Sequence, residues 1–262
     1  MNRIDTRFEL LKQNKRMLLA PFVTVGYPNI AISRDLALGY VEAGADMLEV
    51  GVPFSDPIAD GPTVQAASQI ALDGGTRLID AFDLIADIRA RTDVPILLMG
   101  YANPFMHRGF HELANDLASS GADGLITPDI LPEHANVLEM ATAEKNIHLI
   151  RFAAPTTSAE RLERIADGAN GFLYCVSVAG VTGSRTDLNP SLPDFLASVR
   201  GVTSTPRVVG FGISKPQHVR SLRGKAEGVI VASALIDIVR SSPAKTAVSA
   251  ASHHVSELVD AT

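Results

Sequence analysis

Tryptophan is absent from this chain, and aromatic residues make up only 5 % of its 262 positions. Stacking platforms for single-stranded nucleic acid are therefore lacking. Cationic stripes are lacking as well: the net charge is −6 and no basic run exceeds Lys12-Gln13-Asn14-Lys15-Arg16, which argues against nucleic acid as a partner. A single cysteine, Cys175, excludes an internal disulfide framework and a cysteine-based zinc site. No apolar stretch is long enough to cross a bilayer, so no membrane association is expected. Near the start, Ile4, Phe8 and Leu11 recur at helical spacing among charges and form no apolar core of a signal peptide. An N-terminal helix and a soluble, cytoplasmic protein are expected.

What is present is an alternation of two periods. The 46 % apolar content is ample for a full core. Strand-like runs fall near residues 18–25, 47–52, 95–99, 124–127, 148–153, 172–176, 207–210 and 228–231. Helix-period segments lie between them, near 32–43, 79–91, 110–120, 134–145, 158–166, 193–199 and 216–222, with another after Ser233. Eight β-then-α units predict an α/β fold, a (β/α)8 TIM barrel with an extra N-terminal helix. No Pro/Ser-rich linker divides the chain, so residues 1–262 are expected to form a single domain. Gly44-Ala45-Asp46, Gly121-Ala122-Asp123, Gly168-Ala169-Asn170 and Ala226-Glu227 each follow a helical segment and precede an apolar run. The glycines are expected to end their helices in a left-handed cap. Residues 241–262 predict a closing helix that is amphipathic or partly frayed.

Chemistry concentrates in Leu48-Glu49-Val50-Gly51-Val52-Pro53-Phe54-Ser55-Asp56-Pro57-Ile58-Ala59-Asp60. Glu49 is an anionic side chain inside a strand that the fold must bury. Desolvation raises such a carboxyl toward neutrality, where it can both give and take a proton. Asp60 lies too far along to share that strand and converges on Glu49 only if the loop folds back. Pro53, Pro57 and Pro62 stiffen that loop. Alone, either acid is better explained as a structural carboxylate or a loop cap; together in this run they point to catalysis.

In such a barrel the active site lies at the carboxyl ends of the strands. The loops after the sixth, seventh and eighth strand-like runs are rich in glycine and hydroxyl: 177–185, Phe211-Gly212-Ile213-Ser214 and Ala232-Ser233. Their amides, with the start of the helix after Ser233, form an anion cradle and point to a small phosphorylated substrate. The alternative is that these glycines serve only tight turns.

Pro21-Phe22-Val23-Thr24-Val25-Gly26-Tyr27-Pro28, residues 48–65, Leu98-Met99-Gly100-Tyr101, Ala154-Pro155-Thr156-Thr157, residues 176–185 and 210–214 together resemble the tryptophan synthase alpha chain family. The resemblance implies a carbon–carbon lyase of tryptophan biosynthesis that cleaves indole-3-glycerol phosphate to indole and glyceraldehyde 3-phosphate by a retro-aldol reaction. It implies Glu49 as general acid/base and Asp60 as the carboxylate facing the indole N–H. Phe22, Leu98 and Tyr174 match substrate-contact positions, though core packing explains Phe22 and Leu98 equally well. Thr182 and Gly183 match a loop that covers the substrate, and Gly183, Phe211, Gly212, Ala232 and Ser233 match the phosphate site. It further implies no cofactor in this chain, and a beta-chain partner carrying pyridoxal phosphate in an α2β2 complex. Two alternatives are a weakly active allosteric activator of the beta chain and a stand-alone indole-producing lyase.

Three positions depart from that pattern. Ala232 stands where many relatives have glycine, costing about 1 kcal/mol if the backbone there needs positive φ. Leu131 replaces a common proline near the partner-facing mouth, and Arg151 lies in a strand where the family is usually apolar or proline. Arg151 must reach solvent or find an anion. His107 and His111 have the spacing of a helical metal pair, but Arg108-Gly109 interrupts the helix and no metal site is expected. His134, His148 and His218 are expected at the surface or at caps, and His253-His254 in a solvated tail.

Overall fold

Eight short parallel strands close on themselves in sequence order: β1 (Leu18–Thr24), β2 (Leu48–Gly51), β3 (Ile96–Met99), β4 (Gly124–Ile126), β5 (His148–Ala153), β6 (Leu173–Val176), β7 (Arg207–Gly210) and β8 (Gly228–Val231). The structure is a computed structural model that describes residues 1–176, 188–210 and 212–262. The strands are runs such as Ile-Leu-Leu-Met and Gly-Val-Ile-Val, buried on both faces as a helix-wrapped parallel sheet requires. Around them pack α1 (Arg3–Gln13), α2 (Ile30–Glu42), α3 (Pro62–Asp73), α4 (Leu78–Arg89), α5 (Ala102–Arg108), α6 (Phe110–Ser120), α7 (Asn136–Glu144), α8 (Ala159–Asp167), α9 (Leu192–Val202), α10 (Pro216–Leu222), α11 (Ser233–Ser241) and α12 (Ala247–Val259). All eight expected strands are present, and so is the N-terminal helix.

Two helices went unanticipated. Pro62, expected only to stiffen the loop, is the first residue of α3, where its missing N–H costs nothing. The short α5 ends at Gly109, whose φ of 87° breaks the chain direction before α6. The closing helix is tightly packed: Ala251, Val255 and Leu258 of α12 are fully buried.

The floor of the barrel is sealed by α1. Asn2 caps this helix by accepting the Ile4 N–H, while its amide donates to the carbonyls of Asp123 and Asn146 at 2.8 and 2.7 Å. Ile4 then packs against the strand starts, near Leu97 and Gly124.

Three of the recurrent junctions share one device. Asp46 Oδ2 accepts the Leu19 N–H at 3.0 Å, Asp123 Oδ2 accepts the Ile96 N–H at 2.9 Å, and Glu227 Oε2 accepts the Arg207 N–H at 2.8 Å. Each acid precedes one strand and holds the start of the neighbouring strand, with an arginine (Arg16, Arg89 or Arg207) as counter-charge. The glycines of the first two junctions have positive φ, 95° at Gly44 and 86° at Gly121, as expected. Gly168 does not: its φ is −105°. Its lack of a side chain has a steric cause, because a Cβ there would lie 2.2 Å from both terminal nitrogens of Arg151.

That contact also resolves Arg151. Its guanidinium donates to Glu139 at 2.6 Å and to the carbonyls of Arg164 and Ile165 at the end of α8. The arginine thus finds both an anion and a helix C-terminus, where positive charge is favoured. One histidine expectation is corrected: His254 is packed rather than solvated, with Nε2 at 3.0 Å from the Ser214 carbonyl. His218 is buried, and its Nδ1 accepts the Ser214 N–H at the start of α10. His148 Nε2 lies 2.9 Å from Asp5 of α1.

Candidate active site

Glu49 lies in β2 with its side chain directed into the barrel. Side-chain direction alternates along a strand, so Gly51 shares its face, and a Cβ on Gly51 would meet the Phe22 ring at 2.2 Å. Phe22 is the Cα partner of Glu49 on β1 and lies on the same inner face. Across the barrel, Gly210 of β7 makes room for the Tyr174 ring in the same way, and Phe152 stacks on Tyr174 at 4.8 Å. Two strand glycines thus make room for two aromatic rings, Phe22 and Tyr174.

Leu98 does not join them. It pairs in register with Val50 and so faces the helix layer, whereas Met99, one residue on, pairs with Gly51 and shares the inner face of Glu49. The expectation for Leu98 is corrected to Met99 by the two-residue period of the strand.

Glu49 is 3 % exposed, and its Oε2 has no hydrogen-bond partner among the described residues. Burial, with a smaller push from the charge of Asp60, raises its carboxyl to about 8. Asp60 sits in the loop after β2 and does fold back over the strand end. Burial raises its carboxyl to about 6, and a hydrogen bond from Tyr101 opposes that rise. Burial thus favours the protonated form more strongly at Glu49 than at Asp60, so the surroundings of the two acids push them apart.

Sequence reasoning gave no role to Tyr101. Its hydroxyl donates to Asp60 Oδ2 at 2.9 Å and accepts the Ala59 N–H at 3.2 Å, and its ring stacks on Phe54 at 5.2 Å. Tyr101 is the N-cap residue of α5, and Asp129 accepts the Ala102 N–H at 3.0 Å, so the loop after β4 fixes the start of that helix. Proline-rich stiffness was legible in the loop; the tyrosine that locks it carried no signal beyond an unusual Gly100-Tyr101 step.

On the other side of the mouth, Gly212 has φ of 78° and Ser233 opens α11. Ala232 has φ of −120°, so the positive φ at which alanine would be penalised is absent. Thr182, Gly183 and Phe211 lie outside the described residues. A cavity of about 190 Å³ lies elsewhere, outside the barrel between β5, α7 and α8, and none of its lining residues is an expected site residue. Among the described residues no cluster of three or more His, Cys, Asp or Glu side chains could hold a metal ion, and no helix is long and apolar enough to cross a membrane.

A closed eight-stranded parallel barrel with two buried, coupled carboxyls toward its mouth has the architecture of the (β/α)8 barrel enzymes. The family model for the tryptophan synthase alpha chain matches residues 8–261. The tryptophan synthase alpha chain of Roseiflexus sp. (strain RS-1) is 48 % identical over 244 residues, 93 % of this chain and 94 % of that one. That of Chloroflexus aggregans is 44 % identical and covers 100 % of this chain and 98 % of its own length. Among solved structures, tryptophan synthase subunit alpha from Legionella pneumophila superposes with a TM-score of 0.91 at 34 % identity, covering 100 % of this chain and 98 % of that one. A Mycobacterium tuberculosis tryptophan synthase structure gives 0.92 at 32 % identity, covering 99 % and 98 %. The chain belongs to the tryptophan synthase alpha chain family.

Proposed function

We propose that this chain cleaves indole-3-glycerol phosphate to indole and glyceraldehyde 3-phosphate, with Glu49 as general acid and base and Asp60 as the electrostatic partner of the indole ring. The observation that carries this reading is a buried Glu49 whose Oε2 has no hydrogen-bond partner among the described residues, coupled to an Asp60 that the Tyr101 hydroxyl holds in the loop after β2. Glu49 enters protonated and delivers its proton to indole C3, which leaves positive charge on the ring nitrogen. Asp60 enters as a carboxylate and stabilises that charge through the N1–H. The Glu49 carboxylate then takes the glycerol hydroxyl proton as the C3–carbon bond breaks, and the electron pair returns to the ring. Indole and the aldehyde leave with Glu49 protonated again, so one side chain serves both transfers.

Phe22, Met99 and Tyr174 supply apolar walls for the ring, and Gly212, Ala232 and Ser233, with Gly183 and Phe211, the phosphate cradle. Thr182 is assigned a substrate contact, as the family resemblance implies. No cofactor is needed for this step. The partner is a beta chain, which would carry the pyridoxal phosphate, in an α2β2 complex of the cytoplasm. Exposed apolar side chains in the segments after β2, β3 and β4 support such a partner: Ile58, Met106, Leu131, Val137 and Met140.

Indole release from indole-3-glycerol phosphate, measured for wild type and Glu49→Gln with and without a beta chain, tests the reading. Release that rises with the partner and vanishes in Glu49→Gln is expected. Stimulation of the beta chain with no indole release under any condition would show a regulator instead.

A further inference from the structure

Ser214 ends the turn between β7 and α10, two residues after Gly212, and both of its backbone groups are held by imidazoles. Its N–H points to Nδ1 of His218 on α10 at 3.3 Å, and its carbonyl lies 3.0 Å from Nε2 of His254 on α12. The Ser214 amide is therefore already engaged, which leaves the Gly212 end of the turn to face an anion. A carbonyl can only accept, so Nε2 of His254 is a donor in this contact.

We infer that His254 is a positioning residue that fixes the β7–α10 turn for binding of the substrate phosphate. The reasoning is one of preorganisation. Gly212 sits at φ of 78°, in a region where the chain has several accessible conformations because no Cβ restricts it. A turn that binds through backbone amides must have them aimed before the ligand arrives, or part of the binding energy is spent on ordering it. His218 fixes the turn from the helix that follows it. His254 fixes it from a helix that begins 33 residues later in the chain than Ser214, which ties the C-terminal segment to the phosphate side of the mouth. The inference rests on the reading of this turn as part of the phosphate cradle.

The test compares His254→Ala, His254→Gln and Gly212→Ala with wild type, measuring KM and kcat for indole-3-glycerol phosphate and Kd for inorganic phosphate. His254 is only partly buried, and thermal melting establishes that each variant is folded. Loss of one hydrogen bond predicts about a fivefold rise in KM and in phosphate Kd for His254→Ala, with kcat changing less. The amide of glutamine can donate to the Ser214 carbonyl, so His254→Gln is expected to recover most of that loss. If Gly212→Ala weakens phosphate binding while His254→Ala does not, the inference is wrong and the cradle stands. Equal weakening by His254→Ala and His254→Gln also overturns it, because the donated bond is then not the cause. If none of the three variants affects phosphate, the cradle reading falls and takes the inference with it.

Discussion

The hydroxyl of Tyr101 donates to Asp60 while accepting the backbone N–H of Ala59, so one side chain fixes both the charge and the path of the loop that carries it. This bond also opposes the effect of burial on the Asp60 carboxyl.

Tyr101→Phe removes the bond and leaves the ring stacked on Phe54. The Asp60 carboxyl then rises above about 6, toward the working range. More of it is protonated near neutrality, so the acid limb of kcat/KM moves to higher pH. The activity loss, about tenfold as for a hydrogen bond to a charged group, is expected to be larger at pH 6 than at pH 8. A pH–rate profile with an unmoved acid limb would separate Tyr101 from Asp60.

Glu49→Gln trades activity for stability. Removing a general acid/base lowers kcat by about 10²–10⁴. In the folded chain burial raises the Glu49 carboxyl to about 8, against an ordinary glutamate value of 4.5. The contribution of the protonated group is therefore fully present below the unfolded value and is lost as pH rises through the window from about 4.5 to about 8. Glutamine resembles the protonated form at every pH. Calorimetry is expected to show the variant melting several degrees above wild type at pH 8 and together with it near pH 4.

Gly168→Ala is disfavoured by the Arg151 guanidinium and not by backbone strain. The substitution is expected to cost about 1–3 kcal/mol, as overpacking does. In an Arg151→Met background most of that cost disappears, which a double-mutant cycle in denaturant measures directly. Additive effects would mean that the two residues do not interfere.

Ile58 is 81 % exposed on the loop that carries Asp60. Ile58→Asp places a charge in the expected beta-chain interface and is expected to weaken the complex by more than about tenfold, the scale of a strong contact residue. Titration with a beta chain, read by gel filtration, checks it. Unchanged affinity would move the interface away from this loop.

Strand positions were legible because buried parallel strands leave short apolar runs between turn signals, and all eight were found where those runs lie. The helix at Pro62 was hidden by its composition: Val64, Ala67, Ser68 and Ala71 bury a face of small side chains with little apolar contrast. Glu49 and Asp60 stood out as acids where a fold must explain them. Leu98 and Met99 could not be told apart without register, since both are apolar and adjacent. Tyr101 and His254 act through contacts 41 and 40 residues away in sequence, which no local pattern encodes.

The acid clamps at Leu19, Ile96 and Arg207 all lie at the strand starts, beneath the layer that holds Glu49 and Tyr174. The two ends of the barrel are thereby given different tasks, cohesion below and reactivity above. Amide hydrogen exchange should record this as a gradient along each clamped strand, slowest at the clamped residue and faster toward the mouth. Loops at the mouth are then free to vary in sequence without loosening the sheet that carries them.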